Sequence, residues 1–355
     1  MAWRREPPGV VCVHRKDRSS VMSFSHSQQA SAPRVTVIGA GQVGATTAHL
    51  LALRGLAHVT LIDVIEGLAK GKALDISQSA PVEGLEVTVT GTTAYEAMAG
   101  SQVVIVTAGL ARKPGMSREE LLAANANIVG PMAERIAREA PKAILVVVTN
   151  PLDLMVALAL RRSGFPRSRV LGMAGVLDSA RLRTFVAQRL HVAPASVDAM
   201  VLGSHGDLMV PVPSSITVDG RPLGDRIPEP ELAQIVQRTK DGGAEIVGLL
   251  KQGSAFYAPA SSVVQMTRAM LQDRHTVLPV CAWLEGEYGL RDVCIGVPAQ
   301  LGAVGVERIV EVPLEASAVA ALKASSDTVR RGIAELMALS ASLQKPDATK
   351  APVSA

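Results

Sequence analysis

At 355 residues, with 48% hydrophobic and 19% charged residues, the chain can bury one large α/β core or two domains and lacks the composition of a disordered protein. A net charge of +4, spread along the chain, and an aromatic share of 3% argue against nucleic acid as a partner, since they provide neither a basic stripe nor a stacking platform. The longest apolar runs, such as "AILVVV" and "SQVVIV", fall far short of the roughly 18 to 20 residues that cross a bilayer, so no membrane segment is expected.

Residues 1–33 are rich in Arg and Ser, carry Pro7 and Pro8, and lack the apolar stretch of a secretory signal, which predicts a disordered basic arm. Arg4, Arg5, Arg15 and Arg18 would also suit a mitochondrial transit peptide, although Glu6, Asp17 and the paired prolines count against one; a true start at Met22 is a third reading. From Arg34 the signals become regular. "RVTVIG" (34–39) reads as a strand ending in glycine, "QVGATTAHLLALRG" (42–55) as a helix and "HVTLIDV" (58–64) as a second buried strand. A helix over 65–80, strands over 86–92 and 101–107, a helix over 117–140 and a strand over 143–151 continue the alternation. Strands apolar on both faces, separated by helices, predict a parallel sheet whose ligand lies beyond the carboxyl ends of its strands.

Past about residue 156 the texture changes. A helix over 179–191 is followed by alternating, Gly- and Pro-punctuated segments over 197–220 and 291–312, and an amphipathic helix over 315–336 closes the fold. Cys12, Cys281 and Cys294 are odd in number and follow no metal-ligand spacing, which points to a reducing, cytoplasmic setting without disulfides. No metal site is expected.

The turn "GAGQVG" places Gly39, Gly41 and Gly44 between a strand and a helix. Taken alone it is a weak signal, compatible with an empty turn. In this context Gly39 permits the tight turn, Gly41 lets a pyrophosphate approach the backbone, Gly44 lets the helix pack on the strand, and the helix N-terminus offers free N–H groups to an anion. Asp63, at the end of the next strand, stands at the roughly 20-residue distance where a carboxylate can hold ribose hydroxyls. It would repel a 2′-phosphate, and Val64 and Ile65 supply no cation, so NAD is favoured over NADP; a helix-capping role for Asp63 is the alternative.

Three further segments carry polar groups where substrate chemistry could occur: "VTNP" with Asn150, "GVLDSARLR" with Asp178 and Arg181, and "LGSHGD" with His205. The absence of a nucleophile elbow or a metal-ligand cluster speaks against hydrolysis. The loop "AGLARKPGMSR" (108–118) adds Arg112, Lys113 and Arg118, which without a partner anion would be ordinary surface charges.

These segments, "GAGQVG", "LIDV", "ARKPGMSR", "VTNPLD", "LDSAR" and "GSHGD", stand in an order and at intervals that resemble the lactate/malate dehydrogenase family, closest to malate dehydrogenases of the lactate dehydrogenase-like type, from about Arg34 to Leu336. The resemblance implies an α/β fold: a Rossmann-type doubly wound parallel sheet followed by an α+β substrate and catalytic domain. We accordingly divide the chain into the arm (1–33), an NAD-binding domain (34–155), a substrate and catalytic domain (156–338) and a flexible tail (339–355).

The family's roles carry over residue by residue. His205 exchanges the hydroxyl proton while a hydride passes between substrate and nicotinamide, a task suited to a pKa near neutrality. Asp178 orients that imidazole, a helix N-cap being its alternative role. Arg181 grips the carboxylate next to the reacting carbon as a planar fork. Arg118 polarises the carbonyl. Arg112 meets the second carboxylate of a dicarboxylic acid at a point where lactate dehydrogenases have glutamine, and Lys113 is left without a role.

Asn150 serves substrate and cofactor, with a cis bond to Pro151, and Gln42, Val43, Asn125 and Thr149 join the dinucleotide site. Gly253–Ala255 form a far wall, and Gly109, Pro114 and Gly115 let the Arg-bearing loop close as a lid. The resemblance implies the reversible oxidation of malate to oxaloacetate by NAD in a homodimer or homotetramer. The arm and Leu208 depart from the family pattern. A dehydrogenase of lactate or another 2-hydroxy acid, and a dinucleotide-binding module without turnover, are the alternatives.

Overall fold

The computed structural model of the protein describes residues 32–110 and 115–343; the expectations for the arm before Ala32, Cys12, Arg112, Lys113, Pro114 and the tail beyond Leu343 lie outside them. The first half builds β1 (Arg34–Ile38), α1 (Gln42–Leu53), β2 (His58–Ile62), α2 (Glu66–Glu83), β3 (Val89–Thr92), β4 (Val103–Val106), α3 (Arg118–Glu139), β5 (Ile144–Val147), α4 (Leu152–Ser163) and β6 (Val170–Gly172). The six strands pair in parallel, as the alternation predicts, in the order β3-β2-β1-β4-β5-β6, the doubly wound arrangement that the resemblance implies. Strands β4 and β5 are buried at every position, as a sheet covered on both faces requires. The expected boundary at residues 155 and 156 falls inside α4, and the sixth parallel strand lies beyond it.

The second half contains α5 (Gly175–Leu190), β7 (Val197–Gly203), β8 (Met209–Val218), β9 (Arg221–Pro222), α6 (Glu229–Leu250), α7 (Tyr257–Leu271), β10 (Thr276–Glu285), β11 (Arg291–Gly302), β12 (Gly305–Ile309) and α8 (Ala316–Leu343). Its strands are antiparallel, as the Gly and Pro punctuation predicts, and continue the sheet as β6-β10-β11-β7-β8-β9, with β12 on β11.

Two single-residue contacts hold the sheet together: Cys281 of β10 opposite Gly172 of β6, where the antiparallel half meets the parallel one, and Gly296 of β11 opposite Gly203 of β7 within the antiparallel half. Both need glycine. A Cβ on Gly296 would lie 2.5 Å from the Gly203 carbonyl oxygen, and one on Gly172 would lie 2.5 Å from a Val156 methyl. Within the long β10–β11 hairpin, Pro279 faces Pro298. Neither residue has an N–H to exchange, so the pair suits only a position where facing residues make no ladder bond.

Helices α1 and α7 pack together, as do α3 and α4, with α8 against α4. A smaller apolar cluster, including Leu182, Val186, Val201, Met209 and Ile216, lies between α5 and the β7–β8 hairpin. Gly203 ends β7 and opens the turn that carries Ser204 and His205, so the junction between ladders also sets where that imidazole stands. Gly296→Ala is expected to lower the free energy of urea unfolding by about 1–3 kcal/mol through overpacking. Gly71→Ala, inside α2 with nothing within 4 Å of an added Cβ, should raise it by about 0.5–1 kcal/mol.

Candidate active site

The glycine turn is shaped for an anion. Gly39, at φ +105°, leaves no room for a side chain, since a Cβ would meet the Ala108 nitrogen at 2.6 Å; one on Gly44 would collide with the Gly39 carbonyl oxygen at 1.8 Å. Gly41, the N-cap of α1, has nothing within 4 Å of its Cβ position. No side chain caps this helix and no acidic residue occupies its first turn, so its terminal amides, with Gln42 and Val43 at the start of the helix, remain available to a phosphate. Asp63 braces the turn: Oδ2 accepts the Ala40 N–H at 2.7 Å and Oδ1 the Ile65 N–H at 2.9 Å. Ile65, not Asp63, is the N-cap of α2.

Two of the expected cofactor residues are engaged by the fold. The buried Asn125 accepts the Leu110 N–H through Oδ1 and donates through Nδ2 to the carbonyls of Leu110 and Asn150. Thr149 donates its hydroxyl to the Ala108 carbonyl at 2.6 Å. Both tie together the loops that follow β4 and β5. The bond between Asn150 and Pro151 is cis.

His205 and Asp178 meet despite their separation in sequence. The His205 Nδ1 stands 2.9 Å from Asp178 Oδ2, and Asp178 Oδ1 accepts from Arg181 Nη1 at 3.0 Å. Asp178 is 1% exposed and lies one turn into α5, whose N-cap is Ala174, so its carboxylate serves the imidazole and the guanidinium rather than the helix end. Arg181 runs over α6, where Gly242 and Gly243 leave space: a Cβ on Gly242 would be 3.0 Å from its Cδ. Burial alone would push the His205 pKa down. The charge and hydrogen bond of Asp178, helped by the charge of Asp153, outweigh that effect against the opposition of Arg181, and hold the imidazole above its ordinary value of 6.5.

His205 opens onto a cleft of about 600 Å³ lined also by Arg118, Asn150, Ser204, Asp207 and, from α8, Arg331. Arg118 is the first residue of α3, set there by a capping box in which Ser117 and Glu120 exchange hydrogen bonds. A cation at a helix N-terminus opposes the macrodipole. Its guanidinium pairs with Asp207 at 3.1 Å, both side chains being largely exposed, and such a pair exchanges partners at little cost. Arg181 and Gly253–Ala255 do not line this cleft; the latter occupy the turn between α6 and α7.

The sequence reading passed over Asp153 in "VTNPLD". It is 4% exposed and accepts the Ser204 hydroxyl at 2.6 Å and the His205 backbone N–H at 3.1 Å. A carboxylate inside the apolar run Leu152–Leu160 that opens α4 is the signal that could have marked it.

A family model for the lactate/malate dehydrogenase NAD binding domain matches residues 33–172, and one for the lactate/malate dehydrogenase alpha/beta C-terminal domain matches residues 175–340. The chain belongs to the lactate/malate dehydrogenase family. One relative in this family, a malate dehydrogenase from Roseiflexus sp. (strain RS-1), is 50% identical over 307 residues, covering 86% of this chain and 99% of its own. The apo malate dehydrogenase of Picrophilus torridus is similar in structure, with a TM-score of 0.86 at 41% identity over 88% of this chain and 100% of that one. A lactate dehydrogenase of Cryptosporidium parvum, complexed with lactic acid and nicotinamide adenine dinucleotide, scores 0.84 at 39% identity over 86% of this chain and 98% of its own. Backbone likeness therefore spans both branches of the lactate/malate dehydrogenase family and leaves substrate choice to side chains.

Because the folded pKa of His205 is raised, its pairing with Asp178 stabilises the protein fully below the unfolded value and ceases to do so as pH rises through the folded one. An NMR titration of the His205 ring should find a midpoint above 6.5, and Asp178→Asn should lower it.

Proposed function

We propose that the chain is an NAD-dependent malate dehydrogenase that interconverts (S)-malate and oxaloacetate. The observation that carries this reading is the His205–Asp178 couple, 2.9 Å apart and opening on a cleft. When bound, NAD accepts the hydride that leaves the carbinol carbon. With Nδ1 held by Asp178, Nε2 of His205 is the atom that takes the hydroxyl proton in oxidation and returns it in reduction. Asp178 keeps that tautomer and stabilises the imidazolium that results.

Arg181 keeps Nη1 on Asp178 behind the cleft wall, and reaching the carboxylate beside the reacting carbon with its remaining donors requires its side chain to turn toward the cleft when substrate binds. Arg118 leaves Asp207 to polarise the carbonyl. Asn150 borders both substrate and nicotinamide. The glycine turn and the α1 N-terminus hold the pyrophosphate, Asp63 the adenosine ribose, and Asn125 and Thr149 shape the strand-end loops around it. On this reading the parallel half binds the dinucleotide and the antiparallel half brings His205, Asp178 and Arg181.

Arg112 is the residue that selects a dicarboxylate. Oxaloacetate offers Arg112 a second carboxylate and pyruvate does not, a difference of roughly 1.5–3 kcal/mol or more for a charged partner. The reading includes self-association into a dimer or tetramer, supported by exposed apolar side chains on α2 (Leu74, Val82) and at the end of α6 (Leu249). It also includes a cytoplasmic location, in keeping with the free thiols Cys281 and Cys294. Among the described residues, no helix is long and apolar enough to cross a membrane.

The test compares NADH-driven reduction of oxaloacetate and pyruvate. Oxaloacetate should be preferred, and Arg112→Gln should shift kcat/KM toward pyruvate by about tenfold or more; faster pyruvate reduction by the unaltered chain would defeat the malate assignment. Asp63→Ser should narrow the preference for NADH over NADPH. Since that carboxylate also braces Ala40, the same variant should lose roughly 1 kcal/mol of stability in urea.

A further inference from the structure

The cleft beside His205 has one wall that takes no part in the proposed reaction. Helix α8 supplies it through Thr328, Val329, Arg331, Gly332 and Glu335, positions that recur at helical spacing and so share one face. That face is anchored at two places. Ser325, a turn before Thr328, accepts the Ser204 N–H at 2.9 Å through its hydroxyl, which ties the helix to the turn that carries His205. Gly332 lies against α4, where an added Cβ would stand 3.1 Å from a Leu154 methyl. Arg331 sits between these anchors, and its Nη2 donates to the Thr328 hydroxyl at 3.0 Å.

The balance of charge in the cleft gives this guanidinium its interest. Glu119, Asp207 and Glu335 line the cleft together with the buried Asp153, and four carboxylates oppose the entry of an anion. Among the described residues that line it, the guanidiniums are those of Arg118 and Arg331. Arg118 is paired with Asp207, and Arg181 does not reach the lining. The partner of Arg331 is a neutral hydroxyl, so neither its charge nor the rest of its fork is engaged by a carboxylate of the described residues.

We propose that Arg331 is a specificity-determining residue: from the α8 wall it gives the second carboxylate of a dicarboxylic substrate a cationic partner in a cleft whose carboxylates otherwise repel it. This rests on the reading of the substrate as a dicarboxylate. A monocarboxylic 2-keto acid has no group to place there, so it gains little from the charge. Because Arg331 is exposed, the attraction is modest and sensitive to salt, and it acts on capture of the substrate rather than on the chemical step.

The experiment uses the full chain with NADH and the variants Arg331→Gln, Arg331→Lys and Arg331→Glu. Steady-state rates on oxaloacetate and on pyruvate are measured at low salt and at about 0.5 M salt. At low salt Arg331→Gln should raise KM for oxaloacetate about threefold to fivefold, and Arg331→Glu about tenfold or more, with kcat held within about twofold. Arg331→Lys, which keeps a point charge, should restore KM to within about twofold of the wild type. The gap between wild type and Arg331→Gln should close at high salt, and KM for pyruvate should change by less than about twofold throughout.

A merely structural role for Arg331 would move the urea midpoint and kcat and would leave the salt dependence as it is; that pattern overturns the proposal. So does an unchanged KM for oxaloacetate in Arg331→Glu, or an equal rise in KM for pyruvate. If the wild type reduces no 2-keto acid, the functional reading falls, and calorimetry with malonate and acetate decides the anion role: malonate should bind more tightly than acetate and lose that advantage in Arg331→Gln, whereas a protein that binds neither, or an advantage that survives the substitution, overturns it.

Discussion

Everything at the candidate site depends on how two differently built ladders share one sheet. A parallel ladder buried on both faces and an antiparallel hairpin differ in hydrogen-bond geometry and twist. Here the parallel ladder meets the hairpin through one residue pair, Cys281 with Gly172, and the hairpin meets β7 through another, Gly296 with Gly203; at each an added Cβ on glycine would collide with a neighbour. The turn bearing His205 leaves directly from one of these points. The His205 imidazole therefore owes its place to a glycine junction, and the glycine turn after β1 and the turn after β7 belong to one continuous hydrogen-bonded sheet.

The charges around that framework are arranged in opposition. Asp178 and Asp153 favour imidazolium from α5 and α4, while burial and Arg181 disfavour it, so the proton affinity of His205 is the small difference of larger effects. Arg118 shows the same economy at the surface, where an exposed pairing with Asp207 is weak enough to be given up.

How much of this could be read from the sequence follows from how local each signal is. The glycine turn, Asp63, and the strand and helix alternation up to β5 depend on spacing along the chain and were legible within a few residues. His205, Asp178 and Arg181 could be named from their segments, but the hydrogen bonds that link them are products of folding. Other elements hid for identifiable reasons. Helix α4 opens with a near-continuous apolar run from Leu152 to Leu160, which spacing along the chain does not tell from a buried strand. Strand β6 has only three residues, and β10 carries a proline that ordinarily argues against a strand interior. Asp153 escaped because a carboxylate at the first turn of a helix usually faces water. The engagement of Asn125 with Leu110 and Asn150 joins loops after separate strands, which no local pattern records.

The facing prolines of the β10–β11 hairpin carry a consequence for assembly of the molecule. A slip of one residue would place an N–H-less nitrogen where the ladder needs a donor, and would turn the inward set of side chains outward. Misaligned hairpins are thereby penalised before the rest of the sheet has formed around them. Pro279 and Pro298 thus act as a built-in gauge: only the alignment that seats them opposite one another also delivers Cys281 to its junction with β6 and Gly296 to its junction with β7.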